Sequence, residues 1–306
     1  MSSLKPYLAL AGLALIWGAS FLLIKVAVKD MSPTVLLLIR SVSGLVALAV
    51  IVRVMGRPLL GEGWRTRLGS FAIMAITNAI VPWVAIAWGE ERISSGLASI
   101  LNSTTTLWTA VLIFWAMPAE RPTRVGYLGV VLGFAGVVIL VLPDILAHGM
   151  SGNFFGAMAV LVAALSYAAN AIYQRRKMRS VSVFDVSLGQ LAATVIFAIP
   201  LAAPSLPHVH VALKSMAAVI ALGAGATGIA YLLYYYVMNS LGAVRAAGVT
   251  LLVPVTAVFW GVVLLHEGFS WTIVFGMAVI LAGTVLTNLR RRVTREPSVT
   301  RDTAAA

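Results

Sequence analysis

Long apolar runs separated by short polar gaps make up most of the chain. Ten runs approach the length of about 20 residues that a helix needs to cross the hydrocarbon of a bilayer. They are 6–28, 33–54, 66–88, 95–117, 123–142, 154–174, 183–203, 213–238, 243–265 and 270–289. Lipid offers no partner to a backbone N–H or C=O, so each run is predicted to be an α-helix. Pro33 is predicted to open the second helix and Pro143 to stop the fifth, since a missing N–H costs little at either end. The first run is too long for the core of a signal peptide, and Lys25 and Lys29 stand where a cleavage site would fall. It is read as the first spanning helix.

The pattern occurs twice. Ala110 to Leu140, shifted by 147 positions, falls on Ala257 to Thr287. Glu120 then meets Glu267, Gly129 meets Gly276, and Gly136 meets Gly283. Near the start the offset is 150, which places Trp17 and Ser20 on Tyr167 and Asn170, and Arg40 on Gln190. A repeat of half the chain predicts a duplicated domain rather than a solenoid. The units are residues 6–143 (helices one to five) and 154–289 (helices six to ten), followed by a basic, disordered tail over 290–306.

Composition agrees with lipid as the solvent. Of 306 residues, 60% are hydrophobic and 10% charged, and the mean hydropathy is +0.98, whereas soluble domains carry about 25% charged residues. The absence of cysteine excludes disulfides and thiolate metal sites. The net charge of +12 does not imply nucleic acid, because the basic residues sit in the gaps between apolar runs and in the tail. One face would hold Lys5, Arg53, Arg57, Arg65, Arg67, Arg121, Arg124, Arg175, Arg176, Lys177, Arg179, Arg245 and the tail arginines. The other would hold only Lys29, Arg92 and Lys214 in its loops. The excess predicts a multi-pass protein of the cell membrane with both termini in the cytoplasm. Five helices per unit is an odd number, so the two units should lie inverted. That is the architecture of alternating-access carriers, with a central site at the repeat interface.

At this point the chain resembles a known family. The duplication of five helices, the Trp17-Gly18-Ala19-Ser20-Phe21 stretch, and the Glu120 and Glu267 turns with their following glycines resemble the EamA-type drug/metabolite transporter superfamily. The resemblance covers about residues 6–290, and within the superfamily it is most like the YddG-type exporters of amino acids. It implies a basket-like bundle of ten helices, lined chiefly by helices one, three, four, six, eight and nine, and it implies export. One departure stands out: Pro254 in helix nine has no partner proline, since its equivalent in helix four is Leu107.

Polar side chains within spans are costly and face protein or water. Trp17 and Ser20 share a helix face, and Tyr167 and Asn170 repeat that pair in helix six. Each pair offers an aromatic surface and a hydrogen-bonding group, suited to a substrate with an apolar body and a polar head; packing and an interfacial belt are the alternatives. Asn78 and Pro82, with Trp83 beside them, mark a kink in helix three, and Pro254, four residues after Thr250, marks another in helix nine. These are candidate gates or helix bends. Asn102, Thr105 and Thr109 form a polar stripe in helix four. In helix eight, Thr227, Tyr231 and Tyr235 share a face after Gly223, Gly225 and Gly228. Arg40 lies about 10 Å into helix two at 1.5 Å per residue, where it would hold a substrate carboxylate, snorkel or pair with carbonyls. Lys25 is read as a snorkelling structural cation, and Gly129 with Gly133 as a packing seam.

All ten acids and all four histidines (His148, His208, His210, His266) fall outside the spans or near their ends. No carboxylate at the centre is evident, so a cavity without a fixed titrating group is expected, with transport that is uncoupled or only weakly specified in its coupling. Asp185 and Glu267 are the acids nearest to overturning this. A membrane enzyme lacks a mid-span His, Asp, Glu or Cys, and a channel lacks a charged ring or filter sequence. The predicted protein is an all-α secondary transporter for small neutral, zwitterionic or amphipathic molecules, amino acids above all. It takes no cofactor and no metal, binds no nucleic acid, and works as a monomer in lipid. Export of drugs or nucleotide-sugars by proton antiport, and channel-like permeation, are the alternatives.

Overall fold

The computed structural model describes residues 4–208, 211–242, 246 and 248–289. Arg245, His210, the expected start of helix nine and the tail 290–306 therefore involve residues outside the described set. Ten apolar helices run through the described chain: α1 Lys5–Ala27, α2 Pro33–Val54, α3 Trp64–Glu90, α4 Ser95–Ala116, α5 Arg124–His148, α6 Gly152–Lys177, α7 Val183–Ala202, α8 Leu213–Leu241, α9 Val249–Leu265 and α10 Trp271–Thr287. The last two are the shortest, at about 25 Å each by helical rise. Among the described residues there is no strand.

Short polar side chains start many of these helices by accepting a backbone N–H that the helix cannot use. Ser32 caps α2 through Val35, Ser94 caps α4 through Leu97, and Thr123 caps α5 through Gly126. Pro33 occupies the first turn of α2 as predicted. Pro143 does not stop α5, which continues through it to His148. The ring removes one bond, and at the end of a span the carbonyl left over lies near water rather than in hydrocarbon.

Side-chain contacts sort the helix ends into two faces. On the face that holds the start of α1, here the proximal face, Gly61 N–H donates to Asp185 at 3.2 Å and Arg175 pairs with Glu120 at 3.0 Å. On the opposite, distal face, Glu267 reaches the start of α4 and Ser215 meets Asp30. The ends of successive helices alternate between these faces.

The predicted glycine seam joins α5 to α10. A Cβ on Gly129 would lie 2.6 Å from the Gly283 carbonyl oxygen, and one on Gly136 would lie 3.0 Å from that of Gly276. The glycines of the two helices thus meet crosswise, as in an antiparallel helix pair. Gly133 turns toward Leu107 of α4 as well as α10. Side chains such as Val46, Val50, Leu128, Val131 and Ile196 are exposed around the outside, an apolar surface of the kind that lipid covers.

Candidate functional site

Two irregularities open space between the helices. In α3 a π-helical turn spans Ile76–Ile80, directly before Pro82, which has no N–H to continue an α-helical ladder. In α8 a longer π-helical stretch spans Leu222–Ile229 and contains Gly223, Gly225 and Gly228. The two lie at matching places in the two copies. Helix α4 is also interrupted, at Ser103 and Thr104. There the hydroxyls of Ser103, Thr104 and Thr105 bond back to carbonyls three residues earlier, each within 2.7 Å. Such local bonds compete with a regular helix.

Between these irregular segments lies a cavity of about 560 Å³. Trp17 and Ser20 reach it from α1, and their repeat partners Tyr167 and Asn170 from α6. Arg40 and its partner Gln190 line it from α2 and α7. Asn78 and Trp83 enter from α3, Asn102 and Thr105 from α4, Thr227 and Tyr231 from α8, and Pro254 from α9. Two candidates fall elsewhere. Pro82 is buried outside the cavity wall. Tyr235 sits against Phe184, with ring centroids 5.6 Å apart, and Tyr234 takes its place in the wall. Both tyrosines lie one turn beyond Tyr231 on the regular helical segment Ala230–Leu241, and their neighbours divide them, Phe184 meeting Tyr235 and Trp17 meeting Tyr234. The break in α4 interrupts the spacing of a regular helix and brings Ser103 and Thr106 to the cavity instead of Thr109. The wall draws on α2 and α7 in addition to the six expected helices.

The polar groups of the wall are ordered by one another. Asn78 donates to Gln190 at 2.9 Å, Thr77 donates to Asn170 at 3.3 Å, and Trp17 donates to the Ala226 carbonyl at 3.2 Å. The Trp17 and Tyr234 rings lie 5.7 Å apart. Arg40 neither snorkels nor pairs with carbonyls. Its guanidinium lies 3.7 Å from the centre of the Trp83 ring, and its Nε is buried without a hydrogen-bond partner. Among the described residues no Asp or Glu lines the cavity. The wall therefore presents one cation, several amide and hydroxyl groups, and aromatic faces.

The cavity reaches the proximal side through Gln174, Ser187 and Thr250, and ends distally at Ile24, Ile86 and Ser99. Beyond that floor the helix ends are tied together. Glu267 accepts from the backbone and hydroxyl of Ser95 at 2.8 and 2.9 Å, and from Gly96 N–H at 3.3 Å. A carboxylate there also meets the positive end of the α4 dipole. Lys25 donates to the carbonyl oxygens of Glu90 and Ile93, so it ties α1 to the end of α3 rather than snorkelling. Glu90 is fully buried. The sequence places this residue near the end of its span, and it is buried there because Gly89 lets the end of α3 pack tightly against Gly156 of α6. Gln174, Ser187 and Gln190 were likewise missed as wall residues; the offset that paired Gln190 with Arg40 was the signal that could have found it.

Comparison with known proteins identifies the architecture. A model of the EamA-like transporter family matches residues 4–142 and again 154–289. The chain belongs to the EamA-like transporter family. Among its relatives, "Uncharacterized transporter YoaV" of Bacillus subtilis is 24% identical over 281 residues, covering 91% of this chain and 95% of its own. "Uncharacterized inner membrane transporter YedA" of Escherichia coli K12 is 26% identical, covering 92% and 90%. A solved crystal structure shares the fold with a TM-score of 0.65 at 20% identity, over 93% of this chain and 97% of its own. The EamA-like chain is thus a multi-pass membrane transporter, with lipid around it and a small molecule as cargo.

Proposed function

We propose that this EamA-like transporter carries amino acids, including aromatic ones, out of the cell by alternating access, with the central cavity as the substrate site. Arg40 carries the reading. It is a buried cation paired with no carboxylate among the described residues, held over Trp83 at the edge of a polar and aromatic chamber. A substrate carboxylate would complete it, since guanidinium and carboxylate match in geometry and charge. Trp17, Tyr167, Tyr231 and Tyr234 then supply apolar surface for the side chain, and Asn102, whose Oδ1 is buried without a partner, offers an acceptor for the ammonium. Nucleotide-sugars fit less well, because among the described residues only one cation faces the cavity.

Inversion of the two halves is supported by the crosswise meeting of Gly129 with Gly283 and Gly136 with Gly276. The basic residues on the proximal loops make that face cytoplasmic, so the described state opens inward. One observation favours a second cargo: among the described residues no carboxylate lines the wall to pair with an ammonium, which would suit carboxylates without an amino group.

The test uses purified protein in liposomes loaded with labelled threonine, methionine or phenylalanine. Saturable counterflow is expected, with competition by phenylalanine but not by phenethylamine. Competition by 3-phenylpropionate in place of phenylalanine would select the second cargo. Alanine at Trp17, Asn102 or Tyr167 should reduce counterflow in folded protein. If all three match the native rate, or if no carboxylate is exchanged, the assigned site is wrong.

A further inference from the structure

A carboxylate lies directly under the closed distal end of the cavity, and the substrate path described above does not use it. Glu90 is the last residue of α3; it is 0% exposed and both of its carboxylate oxygens lack a hydrogen-bond partner. The charged groups facing it are occupied elsewhere. Lys25 of α1 gives its hydrogen bonds to main-chain carbonyls. Glu267, in the turn between α9 and α10, is held at the start of α4. Arg40 of α2 stacks on Trp83. From α6, Gly156 and Val160 pack against the neighbouring Gly89 and bring no titratable group.

Geometry ties this group to the gate. Phe21, Ile86 and Ser99 line the cavity floor, and each stands four residues, one helical turn, from Lys25, Glu90 and Ser95 respectively. Opening the distal side must separate that layer and admit water to Glu90. An ionised carboxylate with no partner is far costlier in the dry, closed layer than in the wet, open one, whereas the carboxylic acid tolerates burial.

We propose that Glu90 is a proton-binding site whose protonation closes the distal gate. When the layer shuts, the carboxylate takes one proton from distal water and becomes a carboxylic acid; when the layer opens, it returns that proton, and no other bond changes. The sign follows from linkage: a proton bound more tightly by the closed state favours closure, by up to tenfold per pH unit as the distal pH falls. This inference rests on the alternating-access reading.

Neither of its tests uses substrate, so a failed amino-acid assay leaves them decisive. Infrared spectra of the purified protein near neutral pH should show the carbonyl stretch of a buried carboxylic acid. It should vanish in Glu90→Gln and shift in Glu90→Asp, so loss of folding in the first variant leaves the second. Separately, the natural chain has no cysteine, so a single cysteine can report gate opening. Ile93→Cys, buried in the layer, is compared with Met150→Cys, exposed on the same face. The labelling rate at 93 relative to 150 should fall severalfold per pH unit in the otherwise native chain, and should stay low and flat when Glu90→Gln is added. A spectrum without an acid band that depends on Glu90, or a pH profile unchanged by Glu90→Gln, overturns the proposal.

Discussion

Replacing Arg40 by methionine separates a substrate-binding arginine from a structural one. Methionine keeps an unbranched apolar stem over Trp83 and removes the charge. A hydrogen bond to a charged group contributes about 1.5–3 kcal/mol, and about 1.4 kcal/mol is a factor of ten in binding. Arg40→Met should therefore weaken binding of a carboxylate substrate by roughly 10- to 150-fold. The loss of the contact with Trp83, at 3.7 Å from guanidinium to ring centre, costs a further ~0.5–2 kcal/mol of local stability. Against this, the variant no longer buries a cation whose Nε has no partner. The thermal midpoint in detergent should stay level or rise. A structural arginine behaves oppositely, because breaking a buried ion pair costs about 3–5 kcal/mol. The assay is counterflow of labelled phenylalanine, with phenylalanine and phenethylamine as competitors, beside a thermal melt of the same preparation. Arg40→Lys should retain part of the affinity, as it keeps charge but loses the planar fork. The reasoning is refuted if Arg40→Met exchanges phenylalanine with native affinity, or if it melts several degrees lower and loses all substrates equally.

Other consequences follow from particular contacts. A side chain at Gly129 meets the backbone of Gly283 and Thr287 at 2.6 Å, so Gly129→Val should destabilise the protein by several kcal/mol, on the order of overpacking or worse. Gly225→Ala meets nothing within 4 Å, and its melt should match the native one. Glu267→Gln removes a charged acceptor shared by Ser95 and Gly96. It should loosen the distal tie by about 1–3 kcal/mol, read as at least severalfold faster labelling of Ile93→Cys, and an unchanged rate would show that this tie does not hold the gate. Single cysteines at Arg121 and Gly268 should react with an impermeant reagent from opposite sides of the membrane, the first from the cytoplasm; labelling from one side would undo the inversion of the halves.

Much of the architecture could be read before any coordinate. Span lengths follow from the thickness of the bilayer, so the apolar runs alone placed ten helices to within a few residues at most of their ends. The repeat offset paired Trp17 with Tyr167, Ser20 with Asn170 and Arg40 with Gln190, and the fold brings all six to one cavity. Tertiary structure decided the rest. Tyr234 rather than Tyr235 enters the wall, because Trp17 meets the first while Phe184 of α7 covers the second. Lys25 and Glu90 look like ordinary residues of a helix end, where water is usually near. Close packing of Gly89 on Gly156, and the tie from Glu267 to Ser95, put that end in the dry interior instead. Hydrophobic pattern reports how much of a helix must avoid water, but the neighbour that covers each end is chosen by packing in three dimensions, and burial of a charge is a property of that neighbour.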